Sequence, residues 1–187
     1  MRKLPYLLSA LGAALTAMVC ALTVGKKKYA DVQELAIESQ KKGNELKAQF
    51  VDVIDRDTEA FNAVSAVFAM PKDTDEEKAA RKAAMQEALQ GCTKTPFEMM
   101  ELSLEALRLT DGLVDRSNAS AASDLGCAAL HLGSAVQGAW LNVLINLGSI
   151  RDAAFAAQYR TRGQILLDEA LPLAQSIYDR VLKAVQG

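Results

Sequence analysis

An unbroken apolar segment near the N-terminus constrains the fold of this chain more than any other feature of the sequence. Residues 4–24 are almost entirely apolar, with Arg2 and Lys3 on one side and three lysines at positions 26–28 on the other. As a helix, the segment has a length of roughly 30 Å, which matches the hydrocarbon core of a bilayer. Its many small residues allow close helix packing in either solvent. The segment alone therefore predicts either a signal anchor or a helix buried on all sides in a bundle.

The rest of the sequence is patterned as a series of helices. Only four prolines and eleven glycines occur in 187 residues, which is few for a barrel or sandwich of many short strands. Alanine and leucine dominate, and both favour helices. After the apolar segment, the predicted helices cover residues 31–70, 73–91, 95–116, 123–147 and 152–185. We predict an all-α fold in which residues 1–187 form a single multihelical bundle of about six helices.

Local signals mark the ends of two of these helices. Thr74 and Glu77 have the spacing of a capping box, and Gly91 is predicted to end the helix that they begin. Thr95 is predicted to cap the next helix, because Pro96 would then occupy the first helical position, where its missing N–H has no cost. The sequence therefore predicts an interruption between Gly91 and Thr95.

Charge and cysteine content exclude several classes of function. The chain has 21 basic and 23 acidic residues, so its net charge of −2 provides no strong field for nucleic acid. Cys20, Cys92 and Cys127 are widely spaced, and the single histidine, His131, cannot complete a Cys/His metal site. We therefore predict reduced cysteines in a cytoplasmic protein with no metal.

Asp57 is the most informative polar residue. An apolar stripe with steps of three and four runs along the predicted helix 31–70: Phe50, Val53, Ile54, Phe61, Val64 and Phe68. Asp57 lies inside this stripe, four residues after Val53 and four before Phe61. A carboxylate on a packing face must be hydrogen-bonded, paired or protonated, because burying it alone costs several kcal/mol. It is either a satisfied structural aspartate at a helix contact or a general acid/base in a pocket.

Other polar groups suggest binding contacts. Lys26, Lys27 and Tyr29 follow the end of the first helix, where the lysines either complement the helix dipole or clamp a carboxylate-bearing ligand. Asn142 and Asn146 lie one turn apart on an otherwise apolar helix, so both need partners at an interface or in a ligand.

The two remaining candidates lie on the helix predicted at 123–147. Asp124 and His131 share a helix face but are roughly 10 Å apart, which is too far for a catalytic dyad. His131 is predicted to pack without a catalytic role. Helix capping, by Asp124 or by its neighbour Ser123, is the alternative to a binding role for Asp124.

Several segments together resemble the formimidoyltetrahydrofolate cyclodeaminase family, which includes methenyltetrahydrofolate cyclohydrolases. They occur in the order of that family and extend from about residue 10 to the C-terminus: LGAALTAMV, LTVGKKKY, DRDTEAFNAV, MPKDTDEEKAARKAAMQEAL, SDLGCAAL and GAWLNVLINL. The resemblance implies an all-helical homodimer with folate in clefts at the subunit interface. It also implies that the first helix belongs to the core of a cytoplasmic protein and does not cross a membrane.

The resemblance also implies roles for individual residues. It makes Asp57 the catalytic residue, and it gives the candidates for substrate binding as Lys26, Lys27, Tyr29, Phe61, Asp124, Asn142 and Asn146. The implied reaction converts 5-formimidoyltetrahydrofolate to 5,10-methenyltetrahydrofolate with release of ammonia. Asp57 would remove the proton from N10 and deliver one to the leaving nitrogen, and no metal or cofactor is expected.

Two alternatives to this reaction remain open. One is the cyclohydrolase reaction, in which water attacks the same carbon. The other is a catalytically impaired folate-binding homodimer, because the family has a Pro-Gly-Gly-Gly-Ser turn before the first helix and this sequence has MRKLPYLLS instead. A separate formiminotransferase is the expected partner for the cyclodeaminase reaction.

Overall fold

The structure is a computed structural model that describes residues 4–187, and these residues form five long helices. They are α1 (Leu4–Thr23), α2 (Gln33–Phe68), α3 (Asp75–Asp111), α4 (Ala122–Leu147) and α5 (Ala153–Gln186), with short 3-10 turns at Lys27–Val32 and Ala119–Ala121. No strand occurs within residues 4–187. The predicted all-α bundle is confirmed.

The helices pack with α3 and α4 at the centre and with alternating directions. Hydroxyl pairs join α1 to α3: Ser9 to Ser103 and Thr16 to Thr110, each with an oxygen–oxygen distance of 2.8 Å. All four hydroxyl residues are fully buried. Since both numbers rise together, α1 runs parallel to α3, and the spacing of seven residues keeps each pair on the same face.

The apolar helix α1 has one buried face and one exposed face. Its buried face packs between α2 and α4, where Gly43 of α2 lies close to Ala17 and Gly12 lies close to Leu132 of α4. Two segments, Leu4–Thr23 and Ala119–Leu147, are long and apolar enough to cross a membrane by length and composition. Half of the apolar window of α1 is buried inside the bundle.

The predicted interruption between Gly91 and Thr95 is wrong, because α3 continues through both residues. Pro96 has no N–H to donate to the carbonyl of Cys92, four residues earlier. The side chain of Asn146 on α4 replaces that donor: its Nδ2 donates to the Cys92 oxygen at 2.7 Å. The buried carbonyl is thereby satisfied from a neighbouring helix, and the helix does not need to end.

The predicted start of α3 is confirmed, whereas the predicted start of α4 is wrong. The capping box is present, because the Thr74 side chain accepts from the Glu77 N–H and the Glu77 carboxylate accepts from the Thr74 N–H. The predicted cap at Ser123 or Asp124 is wrong, since α4 begins at Ala122 after a 3-10 turn. The side chain of Asn118 caps that turn by accepting from the Ser120 N–H.

Beyond residue 57, α2 and α3 leave the bundle together as an antiparallel pair that we call the arm (residues 58–91). Asn146 lies near the end of α4 and contacts Cys92, so the part of α3 before Cys92 extends past α4. Within the arm only Val67 is buried. Phe61 and Phe68 are 49% and 65% exposed, so the predicted apolar stripe is a packing face only up to Asp57 in the single chain.

Candidate functional site

Asp57 lies at the base of the arm, where α2 and α3 emerge from the bundle. Its carboxylate is half-buried, and its Oδ1 accepts a hydrogen bond of 3.1 Å from the hydroxyl of Thr95 on α3. Thr95 itself is buried. Within residues 4–187 no hydrogen bond or ion pair engages Oδ2. One carboxylate oxygen is therefore fixed by a neighbouring helix, and the other is available to a ligand.

An ion pair joins the same two helices beside Asp57. Arg56 donates from Nη1 and Nη2 to the two carboxylate oxygens of Glu98 at 2.6 and 2.7 Å. Its Nε donates to Asp52 at 2.7 Å. The hydrogen bonds that Arg56 donates to Glu98 raise the pKa of Arg56 above its usual value, so the guanidinium remains charged. Arg56 is therefore committed to these two carboxylates and does not pair with Asp57.

A groove lined with small side chains lies beside Asp57 along the arm. It has a volume of about 560 Å³ and is lined by Ala60, Ala63, Val67, Ala84, Glu87, Ala88, Gln90, Gly91 and Lys94. Ala60 lies one turn after Asp57, and Gly91 lies one turn before Thr95, so the near end of the groove is about one helical turn from the carboxylate. The alanines offer an apolar wall, and Glu87 and Lys94 add one charge of each sign. The groove suits a flat ligand with a polar end near Asp57.

The lysine and tyrosine candidates form a second cluster at the opposite end of the bundle. The Tyr29 hydroxyl accepts from the Ala119 N–H at 2.9 Å. Gln33 holds the turn, since its Nε2 donates to the Tyr29 carbonyl at 2.7 Å and its Oε1 accepts from the Gly25 N–H at 2.7 Å. Gly25 has φ +74°, which favours glycine, and the three lysines that follow it are exposed.

A cavity of about 290 Å³ lies beside Tyr29. Lys28 lines it from the turn, and Asp115 and Ser117 line it from the segment after α3. Asp115 has φ +64°, a strained conformation for a residue other than glycine. This second cluster therefore combines a cation, a phenol and a strained acidic loop around one cavity.

The structure separates the predicted site residues into these two groups. Along α2, Asp57 lies about 36 Å from Gln33, which contacts Tyr29. Along α4, Asp124 lies about 33 Å from Asn146. The predicted residues are thus not brought together within one chain.

The predicted site residues fall into two groups, one at each end of the bundle. Those at the base of the arm are Asp57, Phe61, Asn142 and Asn146, and those at the opposite end are Lys26, Lys27, Tyr29 and Asp124. Asn146 is buried and binds the Cys92 carbonyl, whereas Asn142 is half-buried one turn earlier.

Sequence reasoning missed Thr95 as a partner of Asp57, and it missed the pair of Arg56 and Glu98. The proline that follows Thr95 favours a helix cap at that position instead. No local signal identifies either pair, since both join residues about forty positions apart across two antiparallel helices. Within residues 4–187, no three His, Cys, Asp or Glu side chains are close enough together to hold a metal ion.

Comparison with known proteins agrees with the resemblance in the sequence. The sequence profile of the formiminotransferase-cyclodeaminase family matches residues 7–164. A methenyltetrahydrofolate cyclohydrolase from Methylorubrum extorquens is 39% identical over 94% of this chain and 85% of its own length. A formimidoyltransferase-cyclodeaminase from Sus scrofa is 35% identical over 92% of this chain, which spans only 32% of that protein.

The fold is also found in a solved structure. The crystal structure of a formiminotetrahydrofolate cyclodeaminase from Thermotoga maritima superposes with a TM-score of 0.79 and 26% sequence identity, covering 100% of this chain and 87% of that one. The match includes all five helices and the arm, so the base of the arm is part of the shared fold. The chain belongs to the formiminotransferase-cyclodeaminase family of folate one-carbon enzymes.

Proposed function

We propose that this chain hydrolyses the one-carbon bridge of 5,10-methenyltetrahydrofolate, with Asp57 as general acid/base. The observation that carries the proposal is the carboxylate of Asp57, which is half-buried, held by Thr95 through one oxygen and open at the other beside a folate-sized groove. The choice of hydrolysis is supported by the methenyltetrahydrofolate cyclohydrolase that is 39% identical over 94% of this chain.

Each proton in the reaction has a defined route. Oδ2 of Asp57 removes a proton from water while the water oxygen attacks the methenyl carbon, and a neutral tetrahedral adduct forms. The protonated Asp57 then donates to N5 as the bond between the carbon and N5 breaks. The hydroxyl proton of the adduct leaves to solvent as the carbonyl forms, which gives a formyl group on N10. Thr95 keeps the carboxylate aimed at the reacting carbon throughout.

The cyclodeaminase reaction is the second candidate, and the similarity to the cyclodeaminase from Thermotoga maritima favours it. In that reaction N10 attacks the carbon of the protonated, cationic formimidoyl group on N5, and Asp57 accepts the proton that N10 loses. The same proton is then donated to the formimidoyl nitrogen, which leaves as ammonia. We propose that a separate formiminotransferase would supply the substrate in this case.

Direct assay of both substrates tests the proposal. We expect the purified chain to consume 5,10-methenyltetrahydrofolate faster than it converts 5-formimidoyltetrahydrofolate. The loss of near-ultraviolet absorbance measures consumption of the methenyl compound. Asp57→Asn should lower turnover about 10²- to 10⁴-fold without changing the melting temperature. The matched control is Asp55→Asn, an exposed carboxylate on the same helix turn, which should retain activity. Equal activity of the Asp57 and Asp55 variants would remove Asp57 from the mechanism.

We further propose that the complete site requires a second copy of the chain. The two groups of predicted residues lie about 36 Å apart along α2, which is longer than a folate that carries a single glutamate. The outer face of α1 carries an exposed apolar stripe: Leu4, Leu7, Leu11, Met18 and Leu22. If two copies pair along this stripe with their α1 helices antiparallel, a two-fold axis places the Tyr29 end of one copy beside the Asp57 end of the other.

Mixing two inactive variants tests the shared site. In a mixture of Asp57→Asn with Lys26→Gln/Lys27→Gln, half of the dimers are hybrids in which one of the two sites has only native residues. Such a mixture should regain about a quarter of the native activity after exchange of subunits. The control is each variant alone, which should stay inactive. A monomer by light scattering at assay concentration, or no recovery on mixing, would contradict the shared site.

We also propose that the protein is cytoplasmic, because pairing of two copies along α1 would cover the apolar stripe without a membrane. It requires no metal or cofactor, since Asp57 supplies both proton transfers. Purification without detergent as a dimer is the expected result. If the chain is extracted only with detergent, a membrane is the partner of α1 instead.

A further inference from the structure

A basic cavity lies on the opposite side of α3 from the groove beside Asp57. It has a volume of about 330 Å³ and is lined by Phe68, Lys72, Lys78, Arg81, Lys82, Met85, Gln86 and Arg151. Five of these eight residues are cationic and none is acidic, although the chain as a whole has a net charge of −2. The concentration of positive charge is therefore a local property of this cavity.

Hydrogen bonds hold together the three segments that form the basic cavity. Arg81 on α3 donates to the carbonyls of Val67 and Phe68 at the end of α2, at 3.0 and 3.3 Å. Gln86 on α3 holds the turn between α4 and α5, since its Nε2 donates to the Ser149 carbonyl at 3.1 Å and its Oε1 accepts from the Arg151 N–H at 2.7 Å. The backbone that carries the cations is thus fixed.

Most of this charge is not neutralised by the protein. Lys78 pairs with Asp75 at 2.9 Å. Lys72, Lys82 and Arg151 form no ion pair with any residue from 4 to 187. The ring of Phe68 and the side chain of Met85 form the apolar part of the wall.

The basic cavity is separate from the site at Asp57. Lys78, Lys82 and Met85 project from one face of α3, whereas Ala84, Ala88 and Gly91 line the groove from a face about half a turn away. A ligand in the basic cavity would therefore leave the groove open. What is inferred for this cavity does not depend on the reaction assigned to Asp57.

We propose that the basic cavity binds a multiply charged oxyanion through Lys72, Lys82 and Arg151. The ammonium groups supply point charges and the guanidinium supplies paired donors, a combination that recognises phosphate and carboxylate groups. The bound anion would join the end of α2, the start of α3 and the turn after α4, and would therefore stiffen the arm. Phosphate esters and polycarboxylates share this chemistry.

Titration calorimetry at low salt with pyrophosphate, and separately with citrate, tests the proposal. Binding of at least one probe should be saturable with one ion per chain, and it should weaken as salt is added. The double variant Lys82→Gln/Arg151→Gln should bind about tenfold more weakly. The matched control, Lys41→Gln/Lys183→Gln, removes the same charge from exposed positions on α2 and α5 and should bind like the native chain.

The two probes distinguish a site for phosphate groups from a site for carboxylates. Tighter binding of pyrophosphate supports the site and assigns it to phosphate groups, and tighter binding of citrate supports it and assigns it to carboxylates. No saturable binding of either probe, or an equal loss in both double variants, would overturn the proposal. Asp57→Asn should bind the probes normally, so a failure of the proposed reaction would not affect this result.

Discussion

The helices α2 and α3 run through both the bundle and the arm, but their surroundings differ between the two regions. Inside the bundle, these helices contribute fully buried side chains such as Phe50, Leu46 and Leu107. In the arm, the same helices bury only Val67. The candidate chemistry lies at the boundary between these two regions: Thr95 is buried and orients Asp57, whose half-buried carboxylate a ligand can still reach.

The largest expected effect is a loss of stability in the bundle from Gly163→Ala. A Cβ at position 163 of α5 would lie 2.7 Å from Cη2 of Trp140 on α4, so the helices must move apart. We expect a cost of about 3 kcal/mol in the free energy of unfolding, measured by urea denaturation. If the variant is as stable as the native chain, the contact between α4 and α5 is looser than the structure shows.

The next prediction concerns the side chain that replaces the missing proline N–H. Asn146→Leu leaves the buried carbonyl of Cys92 without this donor and should cost about 1–3 kcal/mol in the free energy of unfolding. In a Pro96→Ala background, the backbone regains an N–H at position 96, so the same substitution at position 146 should cost much less. Equal costs in the two backgrounds would show that Asn146 does not act for Pro96.

A smaller effect is expected at the boundary between bundle and arm. Thr95→Val removes the hydrogen bond to Asp57 and should lower kcat about tenfold with little change in KM, equivalent to about 1.4 kcal/mol in the activation barrier. Thr95→Ser keeps the hydroxyl and should restore most of the rate. The matched control is Thr93→Val, since that hydroxyl donates only to the Leu89 carbonyl within α3. If both valine variants lose the same activity, Thr95 has no special role.

The smallest expected effect is a gain of stability from Gly91→Ala where the arm meets the bundle. A Cβ at position 91 has no heavy atom within 4 Å, and alanine favours the helix over glycine. We expect about 0.5–1 kcal/mol of added stability, the opposite sign to Gly163→Ala. Urea denaturation of each variant measures the change in the free energy of unfolding. The two changes compare an added methyl group in the crowded bundle with one in the open arm. A loss of stability at position 91 would indicate that the groove closes in solution.

The sequence predicts the helices well because their signals are local. The apolar periodicity, the capping box at Thr74 and the scarcity of prolines all act within one or two turns. The predicted break at Pro96 is wrong because a distant residue, Asn146, provides the donor that the proline lacks. The rule that proline interrupts a helix considers only donors of the same helix, so it cannot predict a donor from a neighbouring helix.

The candidate site is predictable only in part for the same reason. Asp57 stands out because its position in an apolar stripe is unusual. Its partner Thr95 depends on the register between α2 and α3, which no short pattern reveals. The stripe itself misleads beyond residue 57, since periodicity shows that a face is apolar and cannot show what covers it. Phe61 and Phe68 keep the period although the bundle has ended.

The hydroxyl pairs between α1 and α3 set a distance as well as a contact. Sliding α1 by one turn along α3 would break the bonds of Ser9 to Ser103 and of Thr16 to Thr110 at once and leave four buried hydroxyl groups mismatched. The register is therefore locked, and with it the height of the Tyr29 turn relative to Asp57. In a dimer that pairs along α1, the distance between the Tyr29 turn and Asp57 within each subunit would therefore be fixed by the fold of that subunit and not by the contact between the two copies.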